Sequence, residues 1–127
     1  MDAAATARIL AALGHEGRLT IFRLLVQAGP QGLPAGEIAR RAGHLQNTAS
    51  THLGVLSNVG LIAGRRDGRS IIYAATHTRL SEALEFATEG FFDEQTGDRA
   101  AFFQRLLESW SAGGRKEDPG IHRNDAA

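Results

Sequence analysis

A group of short amide and hydroxyl side chains between positions 46 and 51 has the clearest chemical pattern in the chain. On a helix with about 100° between successive residues, one side of positions 45–58 is apolar and the other is polar. The polar side consists of Asn47, Thr51, Gly54 and Asn58, with Ser50 on its flank, and the apolar side of Leu45, Ala49, Leu53 and Leu56. In the major groove of DNA, amide groups pair with adenine and hydroxyls with either base type. The small, uncharged face therefore favours a DNA-reading helix over an ordinary polar surface, which would usually carry Glu and Lys.

Positive charge is concentrated around these polar residues. Residues 40–70 contain five arginines and a single acid, which gives this stretch a net charge of +4; the arginines are Arg40, Arg41, Arg65, Arg66 and Arg69. Residues 77–111 contain three arginines and seven acids, a net charge of −4, and the whole chain is neutral. A local positive potential attracts polyanions. The charge pattern thus predicts a polyanion-binding face in the middle of the chain, with ordinary surface charge as the alternative.

The composition excludes several classes of function. A length of 127 residues suits one domain with a real core. The absence of cysteine excludes disulfides, thiolate metal sites and cysteine nucleophiles. The longest apolar run, Ile71 to Ala75, is too short to span a bilayer, and no signal-peptide pattern follows Met1. We therefore expect a cytoplasmic, nucleoid-associated protein without a membrane partner.

Catalytic motifs are also missing from the sequence. There is no nucleotide-binding loop and no hydrolase or zinc-protease motif. Ser50 and His52 lie two residues apart on the predicted helix, so their side chains diverge by about 200° and cannot pair as nucleophile and base. We expect no enzymatic activity and no cofactor.

The hydrophobic period predicts the elements that hold these residues. It changes from the helical to the strand type at position 61 and returns to the helical type near position 78. The predicted helices are Asp2–Leu13 with Asp2 as cap, Glu16–Ala28, a short helix with Pro34 near its first position and Gly43 at its end, Gln46–Val59, a helix from Thr78 to Phe91, and Asp98–Trp110. The predicted strands are Leu61–Arg66 and Arg69–Ala74, joined by a turn at Asp67-Gly68.

This order of elements is that of a winged helix-turn-helix. The expected fold class is mainly α with a small β-hairpin, in the order helix-helix-helix-helix-hairpin-helix-helix. We expect residues 1–97 to form the winged helix-turn-helix DNA-binding and dimerisation domain and residues 98–111 a C-terminal helix. Residues 112–127 lack any apolar period and are expected to form a disordered tail.

Four segments in this order and spacing resemble the ArsR/SmtB-type family of bacterial transcriptional repressors, over roughly residues 5–92. They are LGHEGRLTIFRLL (Leu13–Leu25), LPAGEIARRAG (Leu33–Gly43), QNTASTHLGVLSNVGLI (Gln46–Ile62) and GRRDGRSIIY (Gly64–Tyr73). The resemblance implies a homodimer built on the first helix and the helix after the wing. It also implies a recognition helix in each major groove, wings on the flanking backbone, and an operator from which an effector releases the protein.

Carried onto this chain, the resemblance assigns DNA contacts to two regions. The base- and phosphate-reading set is Gln46, Asn47, Thr48, Ser50 and Thr51, with His52 on a phosphate. Arg65, Arg66 and Arg69 match the wing, whereas Arg40 and Arg41 either reach the DNA backbone or are simply solvated. The family often has Ser before the Gln, but Leu45 stands there in this chain, which favours Asn47 as the helix cap and leaves it less available for base contact.

The sensing chemistry of the family is altered in this chain. Glu89-Gly90-Phe91-Phe92 stands where a related branch has a cysteine pair, so sensing of arsenite, antimonite or cadmium looks lost. The family's zinc form needs four ligands, and only His77 matches that pattern, so we expect no metal site. Any effector is therefore expected to be non-thiophilic.

Apolar residues of the first helix and the last third of the chain are the candidate dimer core. A second interpretation is that these residues line an apolar pocket for an organic effector. A third is that no effector exists and the amount of the protein alone controls transcription. The set is Ile9, Leu10, Leu13, Leu80, Leu84, Ala87, Phe91, Phe92, Phe103 and Trp110.

The sequence thus predicts a sequence-specific DNA-binding transcriptional regulator, a repressor by family resemblance. Its expected partners are a double-stranded DNA operator, a second copy of the chain and a small-molecule effector. The alternative is a winged-helix protein–protein interaction module that does not bind DNA. Such a module would more often expose large apolar anchors on the face that is polar here.

Overall fold

Helices dominate the chain, and a small antiparallel sheet interrupts them. The computed structural model describes residues 1–89 and 98–111. The helices are α1 (Ala3–Leu13), α2 (Glu16–Ala28), α3 (Ala35–Ala42), α4 (Gln46–Asn58), α5 (Thr78–Ala87) and α6 (Asp98–Ser111). The strands are β1 (Leu33–Pro34), β2 (Ile62–Asp67) and β3 (Ser70–Ala75). This architecture confirms the predicted winged helix-turn-helix fold class.

Side chains at the helix termini account for the positions of the first two helices. The Asp2 carboxylate accepts a hydrogen bond from the Ala5 N–H at 2.8 Å, which satisfies a donor that the first turn of α1 leaves free. At the start of α2, Nδ1 of His15 accepts from the Gly17 N–H at 3.0 Å. Both helices start where the sequence predicts, but the cap of α2 is an imidazole rather than the usual hydroxyl or carboxylate.

The sheet has the order β1-β3-β2, and all of its pairs are antiparallel. Asp67 pairs with Ser70, so the two-residue turn is Gly68-Arg69 rather than the predicted Asp67-Gly68. The turn needs a residue with positive φ directly after the last pair, and Gly68 supplies it at +65°.

A third strand was not predicted from the sequence. Leu33 and Pro34 pair with Tyr73 and Ile72, a two-residue ladder too short to produce an alternating pattern. Pro34 therefore ends β1 and is the N-cap of α3, one position before its predicted place in the helix.

A single apolar cluster joins the first five helices to the sheet. Ile21 and Leu25 of α2, Ile38 of α3, and Leu53 and Leu56 of α4 are fully buried in it. Burial of each such side chain is worth about 1.5–3 kcal/mol, so α4 is held firmly by its apolar side. That packing fixes which side of α4 faces outward.

Several further expectations fall at the end of the described regions. Helix α5 ends at Ala87 with Thr88 as its C-cap, short of the predicted Phe91, which lies outside the described residues. The predicted disordered tail, residues 112–127, also lies outside them. In the described part of the chain no helix is both long and apolar enough to cross a membrane.

Candidate nucleic-acid interface

The outward side of α4 is exposed, polar and uncharged. Ala49, Leu53 and Leu56 are buried on its inner side. The outer residues named from the sequence are all exposed: Gln46, Asn47, Thr48, Ser50 and Thr51. The Thr51 hydroxyl donates to the main-chain oxygen of Asn47 at 3.1 Å, within the helix itself. The face therefore offers amide and hydroxyl groups to a ligand without any charge of its own.

The first turn of α4 differs from the prediction in two ways. Leu45, placed on the buried side by the helical wheel, is 78% exposed. It precedes the helix and has extended dihedral angles (φ −65°, ψ 154°), so the helical wheel does not apply to it. Asn47 is not the cap either, because the helix already begins at Gln46, and its N-cap Leu45 makes no side-chain cap hydrogen bond.

His52 does not belong to the exposed face, and its position does not support the predicted phosphate contact. The residue is only 8% exposed, on the inner side of α4. Burial lowers the pKa of His52 below its ordinary value of 6.5, and the charges of His15, His44 and Arg18 lower it further. The lowered pKa favours the neutral imidazole, and burial turns the side chain away from the exposed face of α4.

Three histidines from distant positions meet beneath α4. The His52 ring centroid lies 4.8 Å from that of His15 and 5.4 Å from that of His44. They surround Gly17, where a Cβ atom would lie 2.9 Å from Nε2 of His52 and 3.2 Å from Nε2 of His44. Nδ1 of His52 and Nε2 of His44 are buried without a hydrogen-bond partner in the described structure.

The cluster was not predicted from the sequence. Positions 15, 44 and 52 share no local spacing, so only the fold brings them together. Among residues 1–89 and 98–111, no group of three or more His, Asp or Glu side chains is arranged to hold a metal ion. The cluster therefore packs the start of α2 and the segment before α4 against the inner side of α4 through ring contacts.

The β2–β3 hairpin carries three of the predicted arginines, Arg65, Arg66 and Arg69, at its tip. Arg66 pairs across the sheet with Ile71, Arg65 pairs with Ile72, and Arg69 lies in the turn. Because successive strand residues point to opposite faces, Arg65 and Arg66 lie on opposite sides of the hairpin. All three are exposed, and Nη2 of Arg65 donates to the main-chain oxygen of Gln31 at 3.4 Å.

Arg40 and Arg41 are paired with an acid on their own helix. Both guanidinium groups bind the carboxylate of Glu37, Arg41 at 2.6 Å. These hydrogen bonds lower the pKa of Glu37 and keep the carboxylate charged. The side chains of Arg40 and Arg41 remain 71% and 47% exposed, so the pairing offsets part of their charge without hiding them.

The predicted dimer and effector residues fall into three groups. Leu10 and Ala87 are exposed, and Leu13, Leu80 and Leu84 are half-buried, so these five retain surface for a partner. Ile9 is only 3% exposed because α1 packs this side onto the core, so it retains little surface for a second copy. Phe91 and Phe92 lie outside the described residues, as do the side chains of Phe103 and Trp110.

A cleft of about 230 Å³ lies where α1 meets the end of α4 and the start of α5. Ile9 is the one member of the predicted effector set that lines it. The other lining residues are mostly polar or small, namely Ala5, Arg8, Ser57, Asn58, Val59, Gly60 and Arg79. This cleft therefore does not correspond to the apolar pocket that the sequence suggested.

Comparison with known proteins adds independent information. A family described as a helix-turn-helix domain matches residues 13–65, which run from the end of α1 into β2. The transcriptional regulator NmtR of Mycobacterium tuberculosis is 40% identical over 85 residues, 67% of this chain and 68% of NmtR.

Solved structures match the fold over much of the chain. An ArsR-like transcriptional regulator from Rhodococcus has a TM-score of 0.60 and 29% identity, covering 80% of this chain and 92% of that one. A homodimeric winged helix-turn-helix DNA-binding domain from Mycobacterium bovis has a TM-score of 0.56 and 28% identity, covering 67% of this chain and 77% of that one. The transcriptional repressor BigR of Xylella fastidiosa has a TM-score of 0.52 and 30% identity, covering 68% of this chain and 85% of that one.

Proposed function

The chain belongs to the ArsR-type family of helix-turn-helix transcriptional regulators, and from this premise we propose that it is a repressor that binds its operator as a homodimer. In this proposal α4 lies in the major groove, and the β2–β3 wing lies against the flanking backbone. A non-thiophilic effector then releases the protein from the operator.

The observation that carries the proposal is the exposed, uncharged polar face of α4 together with a wing that carries three exposed arginines. Five exposed polar residues of α4 present amides and hydroxyls, which match base edges in the major groove. From Ile38 to Arg66 the chain contains no aspartate or glutamate, so no carboxylate in this stretch repels phosphate. Base contacts from α4 would supply specificity, while the arginines would supply mainly sequence-independent affinity.

The homodimer is supported by the surface left on α1 and α5. These two helices pack against each other within one protomer, and Leu10 of α1 remains 40% exposed. Half-buried leucines on both helices extend this apolar surface. A dimer would bring two copies of α4 to one duplex, and each copy would read one half-site.

The proposed effector is non-thiophilic. The chain has no cysteine, which excludes thiolate ligation of an effector. The test is a thermal-shift screen of metabolites on the full chain. A metabolite that raises the melting temperature and lowers DNA affinity supports release by an effector, whereas a screen in which nothing does both contradicts it.

DNA binding and its location are tested by fluorescence anisotropy with duplex DNA from just upstream of the protein's own gene. Random duplex of the same length is the reference, and the salt concentration is varied. The proposal expects tight, salt-sensitive binding with preference for the upstream DNA. No binding to either duplex at low salt would contradict it and favour the interaction-module alternative.

Matched charge variants then locate the DNA surface. Ser50→Glu with Thr51→Glu places two carboxylates on the outer face of α4 and should abolish operator binding while leaving the dimer intact. Thr20→Glu with Gln27→Glu adds the same charge at exposed positions on α2 and should retain most of the affinity. Equal losses in both variants would mean that only net charge matters and that α4 is wrongly placed.

A further inference from the structure

Leu45 is the most exposed large apolar side chain in the described structure. Its exposed fraction is 78%, whereas the next highest values for large apolar residues are 42%, for Met1 and Leu19. It occupies the N-cap position of α4, where Ser, Thr, Asp or Asn would satisfy a free N–H group. The chain thus has a leucine in water at a place where a polar residue would stabilise the helix.

The neighbours of Leu45 belong to the face assigned to DNA. Gln46 and Asn47 follow it directly and are exposed. In helix-turn-helix proteins the N-terminal residues of the recognition helix are the ones that contact base edges. Leu45 therefore extends the reading surface at the end that would enter the groove most deeply.

The dimer surface does not offer an alternative partner for this side chain. Helices α1 and α5 meet α4 at its other end, where Ser57 and Asn58 line a cleft with Arg8 and Arg79. Helix α4 has 13 residues, so Leu45 lies about 20 Å from that end along the helix axis. A second copy docked on α1 and α5 leaves Leu45 uncovered.

We propose that Leu45 reads a thymine by contacting its C5-methyl group in the major groove. The inference rests on the proposed function and assigns a specificity residue to the same surface. The thymine methyl is the apolar feature of the major-groove edges, and apolar side chains recognise it by contact. The contact buries the leucine and the methyl together, so the exposed side chain gains a partner only on DNA that carries thymine at that position.

The test uses the full chain and duplexes that it selects from a randomised library. In each enriched duplex, every thymine is replaced singly by deoxyuridine, which removes the methyl and keeps the hydrogen-bonding groups. One buried methyl is worth about 0.8 kcal/mol, so the contacted thymine should lose about fourfold in affinity per half-site. Leu45→Ala should bind both forms equally, and Leu45→Met should retain the discrimination.

The controls separate this inference from a folding defect and from the proposed function. Leu19→Ala removes a similarly apolar side chain from α2 and should leave the discrimination unchanged. Leu45→Ala should leave the melting temperature almost unchanged, because the side chain makes little contact in the protein. If no thymine is sensitive, or if Leu45→Ala responds as strongly as the natural chain, the inference is overturned while DNA binding stands. Failure to enrich or bind any duplex overturns the proposed function as well.

Discussion

Replacement of Arg65, Arg66 and Arg69 by alanine tests the wing most directly. Each guanidinium that neutralises a phosphate releases a counterion, and log K then falls with log salt by about 0.9 per contact. Arg65 and Arg66 lie on opposite faces of the hairpin, and Arg69 is in its turn. The three side chains therefore surround the tip and can contact backbone on both sides of it.

The size of the effect follows from the number of phosphates. Three contacts on each protomer of a dimer make up to six, so the triple variant should bind with a log–log slope about 5 units less steep. The ratio of the natural chain's affinity to that of the triple variant should then decrease by about a thousandfold as the salt concentration rises from about 50 to about 200 mM. A wing that engages only one half-site would halve the change in slope.

Anisotropy titrations at five or six salt concentrations, with operator and random duplex, measure both slopes. Arg23→Ala is the matched control, because Arg23 is an exposed arginine of α2 outside the basic stretch, and its slope should change by less than about 1 unit. The triple variant should lose affinity for the operator and for the random duplex alike. An unchanged slope together with lost preference for the operator would refute the role assigned to the wing.

Three further predictions concern the support of α4 and the charge beside it. The free energy of unfolding should decrease as the pH is lowered through about 6.5, because the fold lowers the pKa of His52 and the unfolded chain then binds the proton more tightly. Urea titrations between about pH 7.5 and about pH 5 should show this decrease, and His52→Gln should make the free energy of unfolding less dependent on pH. Gly17→Ala should destabilise the protein by about 1–3 kcal/mol, because the added methyl group would contact the histidine rings. Gly36→Ala is also at the second position of a helix but has nothing within 4 Å, so it should stabilise the protein by about 0.5–1 kcal/mol. Melting temperatures of both variants equal to that of the natural chain would contradict both predictions. Glu37→Gln should free its two arginine partners and strengthen binding to random duplex at low salt, and weaker binding would show that the pairing positions them for DNA.

Local sequence was enough to predict most of the elements and the polar face. Asp2 and Gly43 mark helix ends because a side-chain acceptor and a left-handed glycine act on backbone groups within a few residues. The period of 3.6 residues placed Asn47 and Thr51 outside and Leu53 inside, since burial of an amphipathic helix selects its apolar side. The short strand β1 was missed because its pairing with β3, and not its own pattern, makes it a strand.

The candidate site shows the same division. The basic charge and the amides of α4 lie within one stretch of the sequence, residues 40–70, so the sequence alone indicated the kind of ligand. The helical period places His52 on the buried side of α4, three residues after Ala49 and four before Leu56. Tertiary structure alone decided that His15 and His44, which are 37 and 8 positions away, pack against it. It likewise decided that Leu45 is exposed, since a residue just before a helix follows the chain's path through the turn and not the helical period. Periodicity acts between neighbours in sequence, whereas burial depends on which distant segments pack together.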